Sequence, residues 1–106
     1  MPYRLFLDDE RFPPDSDPEQ WVICRTVPEA VSCVQTRGVP YFISFDHDLG
    51  PDIQTGYDFA KWLVDQDLDG AIDLNGMKFY VHSQNNVGAA NIGKLLLRYF
   101  RFKDGD

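Results

Sequence analysis

The chain has 106 residues, a formal charge of −7 and a pI of about 4.6. One core fits in that length and two do not, so residues 1–106 read as a single domain. The acidic field repels polyanions, which excludes broad binding along duplex nucleic acid but leaves room for a small phosphorylated ligand or an RNA end.

The opening MPYRLFLDD lacks a basic region followed by a long apolar run. No stretch approaches the length of a membrane span, so a cytoplasmic protein that does not engage a membrane is expected. Cys24 and Cys33 fit no metal spacing and read as reduced, buried thiols.

In chain order, residues 3–7 form a short apolar run that reads as a buried strand ending on Asp8 and Asp9. Residues 10–20 (ERFPPDSDPEQ) hold three prolines and four acids, which suits an ordered loop and neither a central strand nor a regular helix. This loop could gate whatever lies at the strand's end. Residues 21–25 are the second strand. Thr26-x-x-Glu29 is a capping-box pattern opening a helix that runs to Arg37 and stops at Gly38, with Ala30, Val31 and Val34 on its apolar face.

Residues 41–45 are the third strand and run into Asp46, His47 and Asp48. Thr55-x-x-Asp58 opens a second helix to about Gln66, with Phe59, Trp62 and Leu63 recurring at helical spacing. The acidic stretch beginning at Asp65 matches a calcium loop through its ninth position. Gly76 stands where the bidentate glutamate is required, so a solvated connection is expected there instead. Asn75-Gly76 is a hairpin turn signal. Residues 77–81 are the fourth strand, ending on HSQN, and a last helix spans residues 87–100 with Ile92, Leu95, Leu96 and Tyr99 on its buried side.

Strands alternating with helices imply a small, doubly wound, mainly parallel α/β sheet with right-handed crossovers. For a strand order 2-1-3-4, strands 1, 3 and 4 are adjacent, and their ends converge where such sheets bind ligands. Asp8, Asp9 and Asp46 in one crevice repel each other and call for a hard divalent ion, most plausibly Mg²⁺ or Mn²⁺. Asp48 joins them if the chain stays extended past Asp46, which would turn His47 elsewhere. His47 and His82 are the candidate proton carriers. Ser83, Asn85, Asn86 and Gly88 lead into the last helix, where free N–H groups and a bare glycine suit a phosphate, although one of the asparagines also suits an N-cap. Arg11 could brace the carboxylates or reach a phosphate.

Four blocks, LFLDDERFP (residues 5–13), ISFDHDLG (43–50), GYDFAKWL (56–63) and HSQNNVGAANI (82–92), resemble the cyclic-phosphate processing receiver-like family and, more distantly, the receiver domains of two-component signalling. The resemblance implies a receiver/flavodoxin-like α/β fold whose acidic pocket acts on cyclic phosphates of nucleotides or RNA ends. It equates Asp8 and Asp9 with a receiver's metal-binding pair, Asp46 with the phospho-acceptor and Ser83 with the conserved hydroxyl. A receiver's fifth-strand lysine has no counterpart, and His47 and His82 are additions that phosphodiester hydrolysis can use. A metal-dependent phosphoesterase is therefore the first expectation. The alternatives are a degenerate receiver that signals or binds a phospho-ligand, and an acidic adaptor without chemistry.

Overall fold

The computed structural model describes residues 2–13, 20–50 and 53–105. Seven elements follow one another: β1 (Arg4–Leu7), β2 (Trp21–Cys24), α1 (Val27–Arg37), β3 (Phe42–Phe45), α2 (Gly56–Leu68), β4 (Lys78–Val81) and α3 (Asn86–Lys103). Each lies within a few residues of its sequence reading. The centre of the expected proline-rich loop, residues 14–19, and with it the suggested gate, falls outside the described residues.

Local chemistry sets the helix starts. The Thr26 hydroxyl accepts the Glu29 N–H at 3.2 Å, and Gly38 ends α1 with φ +88° while donating its N–H to the Val34 carbonyl. The Glu29 carboxylate reaches one residue past the cap, to the N–H of Arg25. Thr55 and Asp58 make the full reciprocal capping box. Asn85 caps α3, its side-chain oxygen accepting the Gly88 N–H at 2.9 Å.

The four strands are parallel in the order β2-β1-β3-β4, which with three helices makes a receiver/flavodoxin-like α/β fold. The β2-to-β3 and β3-to-β4 connections both step the same way across the sheet. Right-handed crossovers therefore place α1 and α2 on one face, and α3 packs beside α2 on that face. Among the described residues no helix joins β1 to β2. One core fills the space beneath the helices, with Leu5, Leu7, Ile43 and Phe45 from the sheet meeting Val34, Phe59, Leu63, Ile92 and Leu96, all essentially inaccessible.

Alternation along the strands turns the intervening residues to the opposite face. The register aligns Trp21, Arg4, Phe42 and Lys78 in one row and Ile23, Phe6, Ser44 and Tyr80 in the next. No described helix covers this face, and Tyr80 is 61% exposed.

Two expectations change in detail. Asn75-Gly76 does form a tight turn, with Gly76 at φ +82° and the Met77 N–H on the Leu74 carbonyl, but no antiparallel strand precedes it, so no hairpin results. Asp67, expected to be solvated, instead accepts the Tyr99 hydroxyl at 2.7 Å, the Lys103 ammonium at 2.6 Å and the Leu74 N–H at 2.7 Å, tying the ends of α2 and α3 together. Burial pushes the Tyr99 hydroxyl up to about 12, with the Asp67 carboxylate adding to it. Cys24 and Cys33 are buried free thiols, and burial likewise raises Cys24 to about 12. No described helix is long and apolar enough to cross a membrane.

Candidate functional site

Asp8, Asp46 and His82 each follow the last residue of a strand, in the three adjacent strands β1, β3 and β4. The ladders continue one step beyond those strands, the Asp46 N–H donating to the Leu7 carbonyl at 2.8 Å and the His82 N–H to the Phe45 carbonyl at 2.9 Å. Parity then turns all three side chains to the helix-free face. One ligand atom from each lies within 4.8 Å of the others.

Asp8 is fully buried and ends β1 by accepting the N–H groups of Glu10 and Arg11 on Oδ1, both at 2.9 Å, a local turn that aspartate is suited to make. Its Oδ2 accepts from His82 Nε2 at 2.9 Å and faces Arg11 Nε at 3.4 Å. Burial on its own would raise the Asp8 carboxyl, but the Arg11 and Glu10 N–H groups, then His82, hold it below its ordinary value. Asp46 goes the other way. Burial, the largest influence, raises it; the Ser83 hydroxyl bonded to it pulls down, and the Asp8 charge pushes up again. One carboxylate is thus held ionised and its neighbour resists ionisation, a pairing that a cation would relieve.

His82 is fixed on three sides. Its ring stacks on Phe6 at 4.7 Å with 2° between planes, Nε2 faces Asp8, and Nδ1 lies 2.7 Å from the Ser44 hydroxyl. With Asp8 ionised, Nε2 carries the shared proton, and Nδ1 shares a hydrogen bond with the Ser44 hydroxyl, a group that can donate or accept. Reading along the sequence had passed over Ser44 and Arg25. Arg25 donates from Nη1 to the Asp8 and Arg11 carbonyls, pinning the loop that carries both residues. The signal for each was parity, since position 44 shares a face with 46 and 82, and position 25 sits beside Asp8 in the next row.

The other candidates surround this group. Asp9 and Asp48 are exposed and line a crevice of about 480 Å³ with Arg11, Asp46, Ser83 and Asn85; neither joins the three converging donors. Larger hollows of about 570 and 550 Å³ lie between α1 and α2 and between β2 and α1, and neither is lined by Asp8, Asp46 or His82. Arg11 braces Asp8 and also opens onto the crevice. His47 is not among the converging donors. Its Nδ1 pairs with Asp48 at 2.9 Å, a contact that lowers the Asp48 carboxyl, and its ring lies against Gly88. A Cβ at Gly88 would come within 2.3 Å of that ring. Gly88 was expected to let a phosphate approach; its open side instead holds His47, and its N–H is taken by Asn85. Asn85 also reaches Asp48 through Nδ2 at 3.3 Å, while Asn86 is exposed at the first position of α3. Gly56 has a similar duty: a Cβ there would meet the Asp46 carbonyl oxygen, and its N–H donates to the His47 carbonyl at 2.8 Å.

Fold and strand-end site together define a receiver-like α/β domain. Residues 3–98 match the family model of the cyclic-phosphate processing receiver domain, and the chain belongs to that family. No curated protein and no solved structure matches it.

Proposed function

We propose that the chain is a metal-dependent phosphoesterase that opens cyclic phosphates of nucleotides or RNA ends. The observation that carries this reading is the convergence of Asp8, Asp46 and His82 within 4.8 Å at three adjacent strand ends, in a family associated with cyclic-phosphate processing.

The donor set suits a hard cation, because two carboxylates supply oxygen ligands and their opposed protonation tendencies leave a site that gains from positive charge. Asp8 and Asp46 would hold Mg²⁺ or Mn²⁺. Bound there, the ion would polarise the phosphoryl oxygens and acidify a water. The remaining work falls to the chain. Water adds to phosphorus and gives up a proton, one ester P–O bond breaks, and the departing oxygen takes up a proton, with His82 relaying it between the two. Asp8 and the Phe6 ring hold the imidazole in place, Asp8 keeps a proton on Nε2, and the Ser44 hydroxyl bonds Nδ1. Arg11 offers a cation at the crevice mouth, and the Ser83 hydroxyl a polar contact beside Asp46.

The test incubates the protein with 2′,3′-cyclic nucleotides and cyclic-ended oligonucleotides, with and without Mg²⁺ or Mn²⁺. Metal-dependent ring opening is expected. No turnover under either metal, together with a stable acid-labile phosphate on Asp46 after exposure to a phosphoryl donor, would replace this reading with that of a degenerate receiver.

A further inference from the structure

The helix-free face of the sheet carries an apolar hollow of about 310 Å³ that shares Arg11, Ser44 and His82 with the strand-end site. Its floor and rim are aromatic: Phe6 and Phe42 from the strands, Tyr80 from β4, and Phe12 from the loop after Asp8. Tyr80 and Phe12, 61% and 72% exposed, are two large rings left in solvent beside the same hollow.

We infer that this hollow is a base subsite, seating the heterocycle of a nucleoside or terminal RNA nucleotide whose phosphate lies against Asp8, Asp46 and His82. The inference rests on the phosphoesterase reading for the phosphate's position and adds the class of group attached to it.

Three observations support this occupant. The first is continuity. Ser44 and Tyr80 stand two residues before Asp46 and His82 on the same strands, so the hollow begins about 7 Å from the carboxylates. That is within a ribose's reach of a phosphate. The second is charge. The chain carries −7 overall, yet Arg11 lines both the hollow and the strand-end crevice, so an anionic ligand that spans the two meets a cation. The third is shape and chemistry. A volume of about 310 Å³ lies at the small end of ligand pockets, and aromatic faces on an exposed sheet stack bases while tolerating any sequence.

The experiment compares two cyclic phosphates on the full chain with Mg²⁺ or Mn²⁺ present: adenosine 2′,3′-cyclic phosphate and glycerol 1,2-cyclic phosphate, which has the same five-membered ring and no base. Affinity is read by calorimetry, or as KM where the probe turns over. The adenosine compound should bind about tenfold or more tightly, and the ratio of the two affinities should fall towards one in Tyr80→Ala and in the double variant Phe12→Ala/Tyr80→Ala. Both side chains are mostly exposed, so the variants should fold, and circular dichroism and thermal melting check that. Equal affinities in the parent, or a preference that survives both substitutions, overturn the base subsite and leave the phosphate chemistry standing. Base-dependent binding without turnover of either probe supports the subsite and removes the phosphoesterase. Binding of neither overturns both. Light scattering adds an arm: a parent chain that dimerises and becomes monomeric in Tyr80→Ala assigns the face to a second copy and overturns the proposal.

Discussion

The two faces of the sheet are written in alternate residues of the same strands and meet opposite demands. Leu5, Leu7, Ile43 and Phe45 face α1, α2 and α3 and lose essentially all contact with water. Across the same backbone, Tyr80 stays exposed and Ser44, Asp46 and His82 bring polar groups together. The contiguous apolar core therefore lies under the helices, while the other face buries Phe6 and Trp21 beside polar groups that need partners to be buried at all. Asp8, Asp46 and His82 sit at the ends of three strands on that second face.

The sharpest way to break that comparison is to truncate one aromatic on each face. Phe59→Ala, under the helices and inaccessible to solvent, should cost about 3–5 kcal/mol. Tyr80→Ala should stay within about 0.5 kcal/mol of the parent. Denaturant unfolding of both variants measures the contrast. Similar losses would mean that the helix-free face carries part of the core.

His82→Ala probes the polar side. Removing the imidazole should lower turnover of a cyclic phosphate roughly 10²-fold or more. It should also cost about 1–3 kcal/mol of stability, since Asp8 and Ser44 lose a buried partner. Metal affinity, followed by calorimetry, should change little if the ring carries a proton; a matching loss of metal would make His82 a ligand instead. Gly56→Ala tests the seam between the faces. Its Cβ would strike the Asp46 carbonyl oxygen, and neither that backbone nor the first turn of α2 can give easily, so about 2–3 kcal/mol should be lost, with a shift of the Asp46 backbone visible by NMR.

Much of this arrangement was legible in the sequence because its signals are local. Apolar runs broken by Asp8, Asp46 and His82 mark the strand ends, while Thr26, Thr55 and Asn85 mark the helix starts. What stayed hidden depends on neighbours supplied by the register. Ser44 is an ordinary strand serine until Phe45 pairs with Val81 and brings His82 beside it. Arg25 gains its purpose only when Leu7 pairs with Cys24. Gly88 reads equally as a phosphate cradle or as room for a side chain, and only the packing of His47 against it decides. Alternation alone suggests helices on both faces; their clustering on one follows from the strand order 2-1-3-4 and a β1-to-β2 connection in which no helix is described.

Asp46→Asn should have the smallest effect, and its sign is the informative part. Burial, with Asp8 nearby, raises the Asp46 carboxyl above its unfolded value of roughly 3.9, so the folded chain favours the protonated form. The stability linked to that group is fully present below the unfolded value and is lost as pH rises through the folded one. Asp8 has the opposite sign. Its lowered carboxyl contributes above the unfolded value, and that contribution is lost as pH falls through the folded one. The asparagine removes only the Asp46 cost. It should match the parent near pH 3 and exceed it at pH 7, as read from denaturant midpoints across that range. Adding Mg²⁺ should then raise the parent's midpoint and leave the variant's almost unmoved, because a ligand stabilises only the form that binds it. A variant less stable than its parent at pH 7, without metal, would show that the charge on Asp46 is already compensated within the chain, and the contrast between a face built for stability and a face built for binding would lose its basis.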